Sequence, residues 1–267
     1  MKAQFSKLAL AAALGLALTF TLSCSSDNDN GGGSSPPSGG SSSSGVGNSS
    51  SGGNLGGSSS SGVGNSSSGG NLGDTFKDPR DNQTYKTIKI GTQTWMAENL
   101  NYDVPNNDTD VCYDNDPANC TTYGRLYDWA TAMTECPPGW YLPSNAEWTA
   151  LANYVGSNAG TKLKATSGWK DKNDGSSGNG TDIYGFAALP GGYCNSSGRF
   201  FGVDDQGTWW SSTETSTDKD KAYLRYMSYS NETFNWDTYY KSSLRSVRCV
   251  ELPPPCDPLT PGCVNPF

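Results

Sequence analysis

Histidine is absent from all 267 residues of the chain. That absence removes Ser-His-Asp and Cys-His nucleophile systems, imidazole acid–base catalysis and His-ligated zinc together. Excess positive charge is missing too: 18 basic side chains face 26 acidic ones, a formal net charge of −8. A field of that sign disfavours nucleic acid and anionic lipid surfaces as partners. Tryptophan and tyrosine are missing from the first 84 residues. Residues 25–74 are nearly all Ser, Gly and Asn, with too little apolar surface to offset the entropy of ordering, so they are expected to form a disordered linker. Within it, residues 41–56 recur at 58–73. Only Val and Leu are apolar in each copy, which reads as low-complexity expansion and not as a solenoid repeat. A Gly/Ser chain of this length spans about 35–45 Å.

Long apolar runs are also scarce, and the one at Leu8 to Leu22 follows Lys2 and Lys7. Its length and position read as an export signal and not as a structural membrane span. Ser23-Cys24 at its end looks like a bacterial lipoprotein cleavage site, which predicts lipidation of Cys24 and a membrane partner through that anchor. Thr21 stands where such signals usually carry Leu, so an ordinary secreted protein cleaved nearby is the alternative. Either way the protein is expected to be exported, and Ser25, Asp27 and Asp29 are compatible with the outer membrane or cell surface.

From Phe76 onward the composition turns aromatic-rich. The most informative stretch is Cys136 to Trp148 (CPPGWYLPSNAEW). Ser144 and Glu147 have the spacing of a capping box, and Trp148, Leu151 and Tyr154/Val155 then fall on one helical face. Residues 87–90 and 94–97 read as a hairpin about Gly91, residues 123–133 as a helix, and residues 222–229, 233–240 and 244–250 as strands. An α+β domain follows from this pattern.

Five blocks occur in one order: Gln93 to Tyr102 (QTWMAENLNY), the capped-helix run, Gly185 to Tyr193 (GFAALPGGY), Trp209 to Thr213 (WWSST) and Ser246 to Val250 (SVRCV). Together they resemble the Fibrobacter succinogenes major paralogous domain. The resemblance implies a C-type lectin-like fold: two helices, twisted antiparallel strands and disulfides. The predicted division is signal peptide 1–23, lipidated Cys and linker 24–74, lectin-like domain 75–251 and Pro-rich disulfide tail 252–267. The Leu-Pro-Ser-x-x-Glu-Trp block is also similar to one in formylglycine-generating enzymes, but their paired catalytic cysteines do not carry over.

The chain has eight cysteines, and with Cys24 set aside the rest of an exported chain's cysteines imply disulfides. Cys112 and Cys120 flank a short loop and are expected to pair, as are Cys256 and Cys263. Cys136 and Cys249 would then form a long bridge, which the lectin-like resemblance implies. Cys194 is left unpaired in this scheme.

Two constellations stand out as candidate sites. Asn235, Trp236, Asp237, Tyr239 and Tyr240 gather an indole, an amide, a carboxylate and two phenols on one segment, which suits polysaccharide or another cell-surface partner. Their order differs from the Trp-Asn-Asp of calcium-dependent lectin-like domains, and solvated strand decoration is the plain alternative. Asp171, Asn173 and Asp182 supply hard oxygen atoms that suit calcium, although the segment fails the EF-hand pattern and Asp and Asn favour turns for backbone reasons. The acidic pairs Asp108/Asp110 and Asp114/Asp116 carry the same ambiguity. Trp209 and Trp210 read as core. The sequence therefore points to a surface binding module, with an Asp/Glu-dependent glycan hydrolase and a structural envelope protein as alternatives.

Overall fold

A computed structural model of the chain describes residues 74–105 and 109–253. The signal segment, the linker, Asp108 and the Cys256/Cys263 pair lie outside the described residues. The chain opens with β1 (Asp74–Lys77), β2 (Thr84–Ile90) and β3 (Gln93–Met96). β4 (Asp110–Val111), α1 (Pro117–Tyr123), β5 (Leu126–Tyr127), α2 (Trp129–Ala132) and β6 (Trp140–Tyr141) follow. Next come α3 (Asn145–Val155) and α4 (Ala159–Leu163). The second half is strands: β7 (Gly191–Cys194), β8 (Phe200–Val203), β9 (Gln206–Glu214), β10 (Lys221–Ser228), β11 (Asn235–Tyr240), β12 (Arg245–Ser246) and β13 (Val250–Glu251). This is an α+β arrangement of few helices and two sheets.

One sheet runs β1-β2-β3-β13-β6, and the other runs β11-β10-β9-β12-β5-β4 with β7 on β9 and β8 on β7. The expected hairpin is β2–β3, with Ile88 opposite Trp95 and Gly91 in the left-handed region at φ +64°. A side chain at Gly91 would meet the Tyr154 ring at 3.0 Å, so the turn is closed by packing as well as by backbone conformation.

The helix expected over 123–133 is broken. α1 ends at Tyr123, β5 intervenes and α2 begins at Trp129. Gly124 explains the break: its φ is +77°, and a Cβ there would lie 2.8 Å from Leu100 O and Asn99 Cβ. The backbone must turn away at the point of closest approach to β3's extension. Asp116 and Asp128 cap the two separate helices by accepting from Ala118 N (2.9 Å) and Thr131 N (2.8 Å). The strand expected over 244–250 also divides, β12 joining one sheet and β13 the other.

The helix at Asn145 forms as its pattern predicts. The capping box is complete, with Ser144 N donating to Glu147 Oε2 at 2.8 Å, and Trp148, Leu151 and Val155 are buried while Tyr154 is exposed. β9 then divides the interior. Its successive residues point to opposite faces, so Trp209 enters the core built on Trp95, Trp148, Leu151 and Phe186, and Trp210 enters the one built on Tyr127, Leu224 and Val247. Both indoles are fully buried, as their reading as core required.

The bridges Cys112–Cys120 and Cys136–Cys249 are present. The expectation of an unpaired Cys194 is overturned: its sulfur is disulfide-bonded. The physical reason is its position on β7, where it is completely buried and its backbone pairs with Leu244 next to β12. Cys136–Cys249 joins positions 113 residues apart, so replacing both by alanine is expected to cost about 2–5 kcal/mol in urea unfolding of the oxidised protein. A cost under about 1 kcal/mol contradicts this weight.

Candidate functional site

The residues of the five sequence blocks meet inside the domain around Arg248. Its side chain is fully buried and lies between β12 and β13. Nε and Nη2 donate to Asn99 Oδ1 at 3.0 and 2.8 Å, and Nη1 donates to Phe186 O at 2.6 Å and Met96 O at 3.2 Å. Asn99 Oδ1 also accepts from Trp209 Nε1 at 2.8 Å, while Asn99 Nδ2 donates to Tyr123 O at 2.7 Å. Trp148 completes the set, packing on Trp95 and Phe186 and donating Nε1 to Trp210 O. Burial pulls the Arg248 pKa down to about 9, so the guanidinium stays cationic at neutral pH. Backbone and amide oxygens, not a carboxylate, satisfy it.

Arg248 forms the floor of a cleft of about 450 Å³ walled by Tyr85, Lys86, Glu98, Asn101, Tyr123 and Asp182. Its carboxylates are already engaged. Glu98 accepts from Lys86 N at 2.8 Å, and Asp182, whose pKa is raised by burial, accepts from Ala187 N at 2.9 Å. The cleft therefore holds a spent cation and two anchored acids, an arrangement that braces loops.

The second candidate surface lies at the sheet edge. β11 pairs antiparallel with β10, placing Trp236 opposite Arg225, Thr238 opposite Tyr223 and Tyr240 opposite Lys221. Alternation divides the five residues expected to act together. Trp236 and Tyr240 share one face with Tyr223, Arg225 and Lys221; Asn235, Asp237 and Tyr239 lie on the other. Trp236 is 59% exposed, its ring 5.6 Å from that of Tyr223. Tyr240 is exposed beneath Lys221 Nζ, 4.9 Å from the ring centroid. Arg225 is 6% exposed and donates Nη2 to Thr149 Oγ1 at 2.8 Å on α3.

The turn feeding β11 is pinned from below. The buried Lys164 ammonium donates to Gly178 O (2.8 Å), Ser228 O (3.0 Å) and Asn231 O (3.2 Å), and Gly160 N donates to Glu232 O. Burial draws the Lys164 pKa down to about 8. Lys164 thus fixes the approach to the exposed strand.

The residues expected to bind calcium have different surroundings. Asp171 and Asn173 are exposed, with Tyr229 Oη donating to Asn173 Oδ1 at 3.4 Å, whereas Asp182 is tied to Ala187 beside the cleft. Among the described residues no group of three or more carboxylate, cysteine or histidine side chains is arranged to hold a metal ion.

Residues 88–251 match the family model described as the Fibrobacter succinogenes major domain. The chain belongs to this family. The matched span contains Trp95, Asn99, Trp148, Phe186, Trp209 and Arg248. No curated protein matches the chain, and no solved structure matches it. The exposed Trp236 face also lies within the matched span, and its buried member Arg225 pairs across β10–β9 with Trp209. The sequence reading missed Lys221, Tyr223 and Arg225 because their alternation along β10 acquires meaning only once the register with β11 is known.

Two tryptophans should therefore respond oppositely. Trp148→Ala is expected to cost about 3–5 kcal/mol in urea unfolding, whereas Trp236→Ala should stay within about 0.5 kcal/mol of the parent. Equal losses would contradict the division between framework and surface.

Proposed function

We propose that the protein is an exported, lipid-anchored display module whose Fibrobacter succinogenes major domain binds polysaccharide through the Tyr223–Trp236–Tyr240 face. The observation that carries this reading is the exposed indole of Trp236 set against the Tyr223 ring on an edge strand. Aromatic faces stack on the apolar faces of sugar rings, and one or two such contacts supply only part of an association free energy, so binding is weak per domain. A shallow aromatic strip of this kind follows a polymer and does not enclose a small molecule. A C-type lectin-like identity for the fold is supported by the long bridge from the segment after α2 to the last strand region.

The hydrolase alternative is favoured by one feature, the cleft with Glu98 and Asp182 on its walls. Both acids accept backbone amides, which opposes their use as a mobile acid and base. Calcium is not required for stacking on Trp236.

Purified protein incubated with insoluble cell-wall polysaccharides, with and without a calcium chelator and with a reducing-sugar assay, tests this. Retention without sugar release, unchanged by chelator and weakened about fivefold or more by Trp236→Ala, is expected. Sugar release abolished by Glu98→Gln would support the hydrolase, and no retention across a broad panel would support a structural envelope role. The anchor is tested separately: a fatty-acid analogue should label the parent in cells and not Cys24→Ala, and equal labelling would sink the anchor.

A further inference from the structure

Three arginines are almost wholly buried, and they differ in what their nitrogens meet. Arg248 spends its donors on protein oxygens, and Arg225 donates Nη2 to Thr149 while its Nε has no partner. Arg245 is different. It lies on β12, is 2% exposed, and its guanidinium carbon sits 4.6 Å from the ring centroids of Tyr193 and Tyr239 and 5.3 Å from that of Trp210. Among the described residues the guanidinium makes no hydrogen bond and no ion pair, and of its nitrogens only Nε is both sealed from solvent and unpartnered.

The rings compensate part of the charge, each cation–π contact contributing about 0.5–2 kcal/mol. They do not satisfy the sealed Nε–H, because a ring face offers no lone pair in the guanidinium plane. A buried donor left unpaired costs about 1–3 kcal/mol, more when charged. Asp237, on the same face of β11 as Tyr239, contributes to the field at Arg245 without forming an ion pair; its Oδ1 accepts from Thr238 N at 2.7 Å. A planar fork held between aromatic walls matches two coplanar carboxylate oxygens.

We propose that Arg245 is the oxyanion site of a second subsite, walled by Tyr193 and Tyr239, that takes the carboxylate of a uronic acid residue carried on an otherwise neutral glycan. Tyr193 stacks on the exposed Phe201, with ring centroids 5.8 Å apart, which extends an aromatic surface outward from the site. The overall charge of −8 repels a polyanion, so a sparse uronate substituent suits this protein better than a polyuronate. The choice of a sugar as the carrier rests on the polysaccharide reading above, but the site is on the opposite face of β11 from Trp236.

Titration calorimetry of the full chain with a glucuronate-containing disaccharide, its carboxyl-reduced counterpart, acetate and inorganic phosphate tests this. The uronate should bind at least about tenfold more tightly than the reduced sugar or acetate, and the preference should vanish in Arg245→Gln. Because Arg245→Gln could unfold the domain, the comparison of uronate with its reduced counterpart on the parent protein decides independently of any variant. Equal binding of both sugars, or of acetate and phosphate as well as the uronate, overturns the inference. Retention on neutral polysaccharide with no uronate preference would overturn this subsite alone, whereas loss of both would overturn the glycan reading too.

Discussion

The hydrogen bonds that Asn99 Oδ1 accepts from Arg248 and Trp209 tie together segments that are more than a hundred residues apart in the chain. Each partner is buried and each would be costly alone. A guanidinium without acceptors, or an indole N–H in an apolar core, leaves a desolvated donor unpaired. Set together, they leave no such penalty, and the Phe186 and Met96 carbonyls complete the cage. The loop after Asp182 and the end of β3 are thereby held to the last strands. The cleft above Arg248 is a consequence of this joint.

The adjacent tryptophans of β9 distribute the same constraint. Trp209 carries it into the core beneath α3, while Trp210 donates to Tyr127 O at 2.9 Å and fills the second core. With both faces of β9 filled, β10 and β11 extend outward as the periphery of the sheet, and their outer aromatics are free of structural duty. A rigid interior with an unburdened edge is a physical arrangement on which a binding face can vary without loss of the fold.

Much of the framework was legible in the sequence because it depends on local pattern. The capping box at Ser144 and Glu147, the β2–β3 hairpin and the core assignment of Trp209 and Trp210 follow from spacing and side-chain volume. The long bridge followed from the family resemblance. What failed depended on distant contacts. Tyr123 to Met133 has a helical pattern, yet Gly124 must pass within van der Waals reach of Asn99 and Leu100, which no local reading contains. Cys194 was assigned by counting pairs, and its burial beside Leu244 was invisible. The candidate site shows the same limit: Asn235 to Tyr240 is contiguous in sequence but alternates between faces, and the partners of Trp236 come from β10. Arg245 and Arg248, three residues apart, have opposite relations to their surroundings, one unpartnered and one saturated.

The central claim is that Arg248 and Asn99 act as one unit in holding the domain. A double-mutant cycle with Arg248→Met and Asn99→Leu, read from urea unfolding of the oxidised protein, measures it most directly. The account predicts a coupling free energy of about 2–3 kcal/mol, the second substitution costing little once the first is made. Additive costs, with coupling under about 0.5 kcal/mol, would contradict it.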